Sequence, residues 1–199
     1  MKFFLATKNK HKVFEFTRIL SRYNIEIISE ADLEKPLEET VEDGETFEDN
    51  SFIKANAAML ATGLPSIADD SGLCVDYLDG APGIYSARFA GEPVDNDRNN
   101  EKLLKELAGI PKEKRTAKFV SVIACVFPDG RRFFARGECH GYIAEEKSGS
   151  NGFGYDPLFI SEIGCFGDIS DEQKDSVSHR GRALADFSNK IIEFMKEDI

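Results

Sequence analysis

The sequence predicts an α/β fold built around a mixed β-sheet. Near the N-terminus, a short apolar strand at residues 3–6 leads through a polar turn into a helix with apolar residues at spacings of three and four. Residues 117–127 are apolar on both alternating faces, as is typical of a central strand that is covered twice. The turn Pro128-Asp129-Gly130 then reverses the chain into a second long strand at residues 133–143.

Length and composition predict one domain over residues 1–199, or two lobes that share one sheet, because 41% of the residues are apolar. No apolar run approaches the roughly 18 residues of a membrane span, and the N-terminus favours a strand over a signal peptide. The four cysteines form no CxxC pair, which argues against a zinc or redox motif. A net charge of −11 argues against nucleic-acid binding. We therefore expect a cytoplasmic protein that binds neither membranes nor nucleic acid.

Two further helices have boundary signals in the sequence. Thr46 and Asp49 form a capping-box pattern, and Gly63 follows the last predicted turn, so one helix should run from residue 47 to about residue 62. A second helix should follow the polar stretch 92–100. An amphipathic helix should close the chain.

Two adjacent carboxylates, Asp69 and Asp70, lie between two apolar runs, and we interpret the following Ser71-Gly72 as a turn. On an extended chain, neighbouring side chains point to opposite faces. One carboxylate could therefore bind a divalent cation such as Mg²⁺, which takes one or two carboxylates and completes its shell with phosphates. The alternative is an ordinary acidic turn, and spacing alone does not decide which carboxylate would act.

Cations crowd the first strand-to-helix turn, in the sequence Thr7-Lys8-Asn9-Lys10-His11-Lys12. A helix N-terminus already carries partial positive charge and unpaired N–H groups. Cations at this end therefore reduce stability unless an anion lies among them, which predicts a phosphate site. The glycines of a P-loop are missing, and the alternative is a solvated lysine cluster.

A glycine-rich loop offers groups for a nucleotide base, in the sequence Gly152-Phe153-Gly154-Tyr155-Asp156-Pro157. Its glycines let the backbone approach a ligand, and its rings offer stacking faces. Asp156 could bind a ligand or cap the loop. His179 and Arg180 lie where the last helix should begin, with Lys174 nearby. They are either structural or directed at an electron-rich group such as a carbonyl oxygen.

Glu42 and Lys54 complete the set of candidate residues. Glu42 precedes its helix, where it is free for another role, and Lys54 could point toward a shared cleft or into solvent. Each part of a metal-bound nucleotide then has a candidate partner in the chain: the polyphosphate, the metal, the ring and the polar edge of the base. This set of residues predicts a nucleoside triphosphate site. Hydrolysis at such a site needs a cation that offsets the phosphate charge and a carboxylate that orients or deprotonates water.

At these motifs the sequence resembles the inosine/xanthosine triphosphate pyrophosphatases, also called non-canonical purine NTP pyrophosphatases. The resemblance runs nearly end to end and is carried by six ordered motifs: Ala6-Thr7-Lys8-Asn9-Lys10-His11-Lys12, Glu42-Asp43-Gly44-Glu45-Thr46-Phe47, Ala68-Asp69-Asp70-Ser71-Gly72-Leu73, Gly80-Ala81-Pro82-Gly83-Ile84-Tyr85-Ser86-Ala87-Arg88, Gly152-Phe153-Gly154-Tyr155-Asp156-Pro157 and Ser178-His179-Arg180. It implies a homodimer of two-lobed α/β subunits, each with an elongated mixed sheet flanked by helices and an active-site cleft between the lobes. It also implies Mg²⁺-dependent hydrolysis of ITP, dITP and XTP to the monophosphate and pyrophosphate, which cleanses the nucleotide pool.

The resemblance also implies a role for each matching residue. Asp70 would be the general base, and Glu42 and Asp70 would hold the metal. Ser71 would bind substrate beside Asp70, and Phe153 would stack on the base. The other residues that the resemblance implies for substrate binding are Thr7, Asn9, Lys12 and Lys54 on the phosphate side, Gly154, Tyr155 and Asp156 in the base wall, and Lys174, His179 and Arg180 at the purine edge. Lys8, Lys10 and His11 are further substrate-binding candidates in the same turn, although Lys8 and His11 stand where many members of the family have glycine.

Three other functions compete with this interpretation. A related pyrophosphatase with the same fold would act on pyrimidine or modified nucleotides, but the His179-Arg180 pair and the Phe-Gly-Tyr-Asp loop argue against it. A nucleotide-binding regulator would have no need for the Glu42 and Asp70 pair. A generic metal phosphatase would release orthophosphate rather than pyrophosphate.

Overall fold

The computed structural model describes residues 1–38 and 40–196. The strands of this described part are β1 (Lys2–Leu5), β2 (Glu26–Ile28), β3 (Ser66–Val75), β4 (Thr116–Val126), β5 (Arg132–Ile143), β6 (Phe159–Ser161) and β7 (Gly164–Cys165). They pair in the order β2-β1-β3-β4-β5-β6-β7. β1 runs parallel to β2 and β3, whereas β6 runs antiparallel to β5 and β7. The predicted mixed sheet is therefore confirmed.

The α-helices in the described residues are α1 (Lys10–Leu20), α2 (Phe47–Thr62), α3 (Asn96–Glu106), α4 (Asp171–Val177) and α5 (His179–Lys196). The predicted limits of α2 are confirmed, because Thr46 Oγ1 accepts the Asp49 N–H at 3.1 Å and Gly63 ends the helix in the left-handed conformation. No helix in the described ranges combines the length and the apolar character needed to cross a membrane.

Two local predictions are wrong. Asp69 to Gly72 form no turn, because β3 continues through them as one ten-residue strand. Gly72 instead allows a close approach of another segment to the strand, since a Cβ there would lie 2.2 Å from the carbonyl oxygen of Gly83. α3 begins at Asn96, earlier than the polar sequence indicates, because the Asp95 side chain caps it by accepting the Arg98 N–H at 3.0 Å.

The chain divides into two compact units, each with its own core. The first unit comprises the described residues of Met1–Asp70, Ser121–Gly137 and Arg180–Ile199. Its core includes Phe3, Leu5, Phe16, Ile67, Ile123, Leu184 and Phe187. The second unit comprises Ser71–Val120 and Glu138–His179, and its core includes Leu73, Leu103, Phe119, Phe159 and Phe166. The single domain over 1–199 and the cleft between lobes stay predictions.

Candidate functional site

The turn between β1 and α1 begins a well-capped helix. Asn9 Oδ1 accepts the N–H groups of His11 and Lys12 at 2.9 and 3.3 Å, and Thr7 Oγ1 accepts the Asn9 N–H at 3.2 Å. Lys12 turns inward, and only 14% of its side chain is exposed. The exposed side chains of this turn are those of Lys8, Lys10 and His11.

Asp69 lies fully buried on one face of β3, surrounded by donors. Its carboxylate accepts Arg180 Nη2 at 2.8 Å, Ser121 Oγ at 2.6 Å and Lys12 Nζ at 2.9 Å. Burial opposes ionisation, but the charges of Arg180 and Lys12 and the Ser121 hydroxyl outweigh it and hold the pKa of Asp69 well below its ordinary value. Asp69 is therefore a fixed anion.

Glu15 joins the same cluster from α1. Its carboxylate accepts Arg180 Nη1 at 2.6 Å, and Arg180 is 2% exposed. Burial would lower the pKa of Arg180, but the carboxylates of Asp69 and Glu15 raise it. Sequence reasoning missed Glu15 and Ser121, although each gave a signal: an acid on the apolar face of a helix and a hydroxyl on an apolar strand face. Asp69, Glu15, Lys12, Ser121 and Arg180 are called the Asp69 cluster below.

Asp70 lies on the opposite face of β3 and meets a different environment. Its Oδ1 accepts Lys54 Nζ at 3.1 Å, and the same ammonium lies 2.9 Å from Glu42 Oε2. Its Oδ2 is buried and has no hydrogen-bond partner among the described residues. Burial raises the pKa of Asp70, and the opposing charges of Lys54 and Lys12 only partly offset this effect.

Two ammonium groups converge on the backbone of Asp69. Lys54 Nζ and Lys12 Nζ donate to its carbonyl oxygen at 3.1 and 3.4 Å. Burial lowers the pKa of Lys12, and the nearby Arg180 and Lys54 add to this. Burial would lower the pKa of Lys54 too, but Asp70 and Glu42 raise it. Each ammonium is also paired with carboxylates, Lys12 with Asp69 and Lys54 with Glu42 and Asp70.

Glu42 and Asp70 fit a magnesium ion. Both carboxylates bind one ammonium, that of Lys54, so both already face a common positive charge. The buried Asp70 Oδ2 without a partner is an acceptor suited to a cation or to water bound to it. Across the described residues, no three or more His, Cys, Asp or Glu side chains form a metal-binding group. Two carboxylates agree with the preference of Mg²⁺ for few protein ligands plus phosphate.

The glycine-rich loop is held by Asp156, which acts as its cap. Asp156 Oδ2 accepts the Phe153 N–H at 2.8 Å and Lys174 Nζ at 2.7 Å, with both charged groups buried. A Cβ at Gly152, where φ is +73°, would lie 2.0 Å from that oxygen. Lys174 Nζ also lies 5.1 Å from the centroid of the Phe153 ring. Asp156 and Lys174 therefore hold the loop at Phe153, one through its main-chain N–H and the other beside its ring.

The other predicted residues fall into the two units as follows. Gly154, Tyr155 and His179 lie in the second unit, where the His179 ring stacks on Phe119 with 4.6 Å between centroids. Ser71 directly follows Asp70 on β3. Arg180 belongs to the first unit and to the Asp69 cluster, so its place at a purine edge stays a prediction.

Known proteins resemble this chain over nearly its whole length. A dITP/XTP pyrophosphatase of Bacillus cereus is 45% identical over 194 residues, covering 96% of this chain and 94% of the relative. A dITP/XTP pyrophosphatase of Geobacter sulfurreducens is 49% identical over 183 residues, covering 91% and 92%. The structure of the Staphylococcus aureus Ham1 protein matches all of both chains with a TM-score of 0.82 and 37% identity.

The Ham1 family model matches residues 3–190, a range that contains every candidate site residue. This range, together with the identity to full-length relatives, confirms the resemblance that the six motifs predict. The chain therefore belongs to the Ham1 family.

Proposed function

We propose that this protein hydrolyses the non-canonical purine nucleoside triphosphates ITP, dITP and XTP to the monophosphate and pyrophosphate, with Mg²⁺. The observation that carries the proposal is Asp70: a buried carboxylate whose Oδ2 has no partner in the described part of the chain, beside the ammonium groups of Lys54 and Lys12. The names of the relatives, dITP/XTP pyrophosphatase, support the reaction and the substrate class.

We assign the triphosphate to the first unit. Lys12 and Lys54 would offset its charge, and the start of α1 at Thr7 and Asn9 would add N–H groups. Glu42 and Asp70 would hold Mg²⁺, which supplies positive charge against the phosphates and orients water. Their carboxylates are already directed at one cation.

Asp70 would act as the proton acceptor. Its Oδ2 takes the proton of the attacking water as the new P–O bond forms, and the α–β anhydride bond breaks to release pyrophosphate. A pKa raised by burial increases the basicity of this carboxylate. Asp69 is unsuited to that task, because its donors keep it ionised and occupied.

We assign the base to the second unit. Phe153 would stack on the purine, with Gly154, Tyr155 and Asp156 completing the wall and Ser71 contacting the substrate beside Asp70. Lys174 and His179, with Arg180, would donate to the 6-oxo group. Adenine carries an amino donor at that position, which would leave buried donors unpaired and cost several orders of magnitude in rate.

The test is pyrophosphate release from ITP, XTP, ATP and UTP, with Mg²⁺ or with a chelator. We expect rapid release from ITP and XTP, release from ATP lower by at least about 100-fold, and none in the chelator. Comparable rates with UTP would favour the related pyrimidine or modified-nucleotide enzyme. Binding without release would favour a regulator, and orthophosphate as product would favour a phosphatase. Three further expectations stay predictions: that the protein is a homodimer, that it binds neither nucleic acid nor membranes, and that it is located in the cytoplasm, where nucleotide pools are used.

A further inference from the structure

Ser86 is a buried serine whose hydroxyl is hydrogen-bonded to the main chain of β3. Its Oγ accepts the Leu73 N–H at 2.9 Å and donates to the Gly83 carbonyl at 2.6 Å. Leu73 is the third residue after Asp70 on the same strand. The approach is close enough that a Cβ at Gly72 would lie 2.6 Å from Ser86 Oγ. The strand after Asp70 is therefore fixed to the segment 83–90.

The main chain of Ser86 is hydrogen-bonded to the glycine-rich loop. Its carbonyl oxygen accepts the Tyr155 hydroxyl at 2.8 Å, and Tyr155 is 4% exposed. Burial raises the pKa of Tyr155, so the hydroxyl stays protonated and remains a donor. One residue therefore connects β3, through its side chain, with the loop that carries Phe153, through its main chain.

Two neighbouring asparagines of α3 reinforce this connection. Asn99 accepts the Ala90 N–H at 2.7 Å and donates to the Ala87 carbonyl at 2.9 Å, which holds the segment 83–90 on the helix. Asn100 donates to the Gly154 carbonyl at 2.9 Å, which holds the loop on the same helix. Both asparagines are buried, so the hydrogen bonds of their side-chain amides form away from solvent.

We propose that Ser86 is a positioning residue that sets the glycine-rich loop relative to residues 71–75 of β3, which directly follow Asp70. It acts through Leu73 and Tyr155 and does not contact the substrate. The proposal rests on the proposed function, in which the loop holds the base and Asp70 receives the proton. Because a misplacement of about 1 Å between reacting groups can cost about 100-fold in rate, such a link would appear in kcat more than in KM.

The activity test compares Ser86→Ala, Tyr155→Phe and the double variant with wild type, using ITP and Mg²⁺. The matched control is Ser188→Ala, which removes another buried serine hydroxyl, bonded to the Leu184 carbonyl at 2.8 Å. We expect Ser86→Ala to lower kcat about tenfold with KM within about twofold, and Ser188→Ala to leave both unchanged. The double variant should be no slower than the slower single variant, because both changes break one link.

Amide hydrogen exchange tests the link without activity. Tyr155→Phe should speed exchange at the Leu73 N–H, and Ser86→Ala should speed exchange at residues 153–156, whereas Ser188→Ala should do neither. Exchange that rises only beside the mutated residue, an unchanged kcat in Ser86→Ala, or losses that multiply in the double variant would overturn the proposal. If wild type releases no pyrophosphate from ITP, the proposed function fails, and hydrogen exchange still decides whether Ser86 links the two elements.

Discussion

The two faces of β3 at Asp69 and Asp70 carry the same side chain in opposite electrostatic settings. On one face, Asp69 meets Arg180, Lys12 and Ser121, and its pKa falls well below the ordinary value. On the other face, Asp70 meets Lys54 and keeps one buried oxygen without a partner in the described residues, and its pKa rises. Burial acts on both carboxylates, so the number of donors on each face decides the direction of the shift. We infer that Asp69 organises the site and that Asp70 reacts.

The variant Asp70→Asn tests the reacting role of Asp70 and should have the largest effect on turnover. We expect turnover of ITP to fall by about 1000-fold or more, because the variant loses the carboxylate that we propose as both proton acceptor and metal ligand. The free energy of unfolding should stay within about 1 kcal/mol of wild type, since the amide removes a buried charge. Pyrophosphate release and urea unfolding measure the two effects, with the exposed Asp79→Asn as control. A variant with near-normal turnover would contradict the assignment.

Lys12→Met tests the inward cation of the Asp69 face. We expect kcat/KM for ITP to fall by about 100-fold, because in the proposed function this buried ammonium lies beside the phosphates, where a fixed charge is strongly stabilising. Lys10→Met, which changes an exposed lysine two residues earlier, is the matched control and should lose at most about threefold. Equal losses in the two variants would favour a diffuse lysine cluster over the fixed geometry.

Glu15→Gln tests the second carboxylate that binds Arg180 in the Asp69 cluster. The variant replaces a charged acceptor with a neutral one at the 2.6 Å contact with Arg180 Nη1. We expect the free energy of unfolding to fall by about 2 kcal/mol in urea denaturation. The exposed Glu34→Gln should change it by less than about 0.5 kcal/mol. An unchanged stability in Glu15→Gln would show that Asp69 alone suffices for Arg180.

Ser121→Ala should have the smallest effect. It removes the 2.6 Å hydroxyl bond to Asp69 Oδ1 but leaves the two cationic partners in place. We expect a loss of about 1.5 kcal/mol in the free energy of unfolding and a change in turnover below about threefold. A loss of turnover above about tenfold would contradict the structural role that this account gives to the Ser121 hydroxyl.

Local chemistry made much of this arrangement predictable from the sequence. The capping residues Thr46 and Gly63 bound α2 in the structure as the sequence indicates. α1 follows the first strand and its polar turn, as the spacing of apolar residues predicts, and the structure adds Asn9 as its cap. The alternation of side chains along a strand also predicted that Asp69 and Asp70 face opposite ways. Each of these signals lies within a few residues of the element that it specifies.

The missed features depend on contacts between distant parts of the chain. Glu15 and Arg180 are 165 residues apart, and Ser121 and Asp69 are 52 apart, so no local pattern pairs them. The predicted turn after Asp70 failed for the same reason. Gly72 serves a close approach to Gly83 rather than a reversal of the chain, and only the fold brings that segment near.

The most direct test of the different roles of the two carboxylates measures kcat and the free energy of unfolding for Asp69→Asn beside Asp70→Asn. Asp69→Asn should lose about 3 kcal/mol of stability or more, because it leaves Arg180 and Lys12 buried with less compensating charge. Asp70→Asn should lose turnover and keep its stability. The opposite result, with turnover lost in a stable Asp69→Asn and retained in Asp70→Asn, would contradict the assignment of Asp70 as the reacting carboxylate.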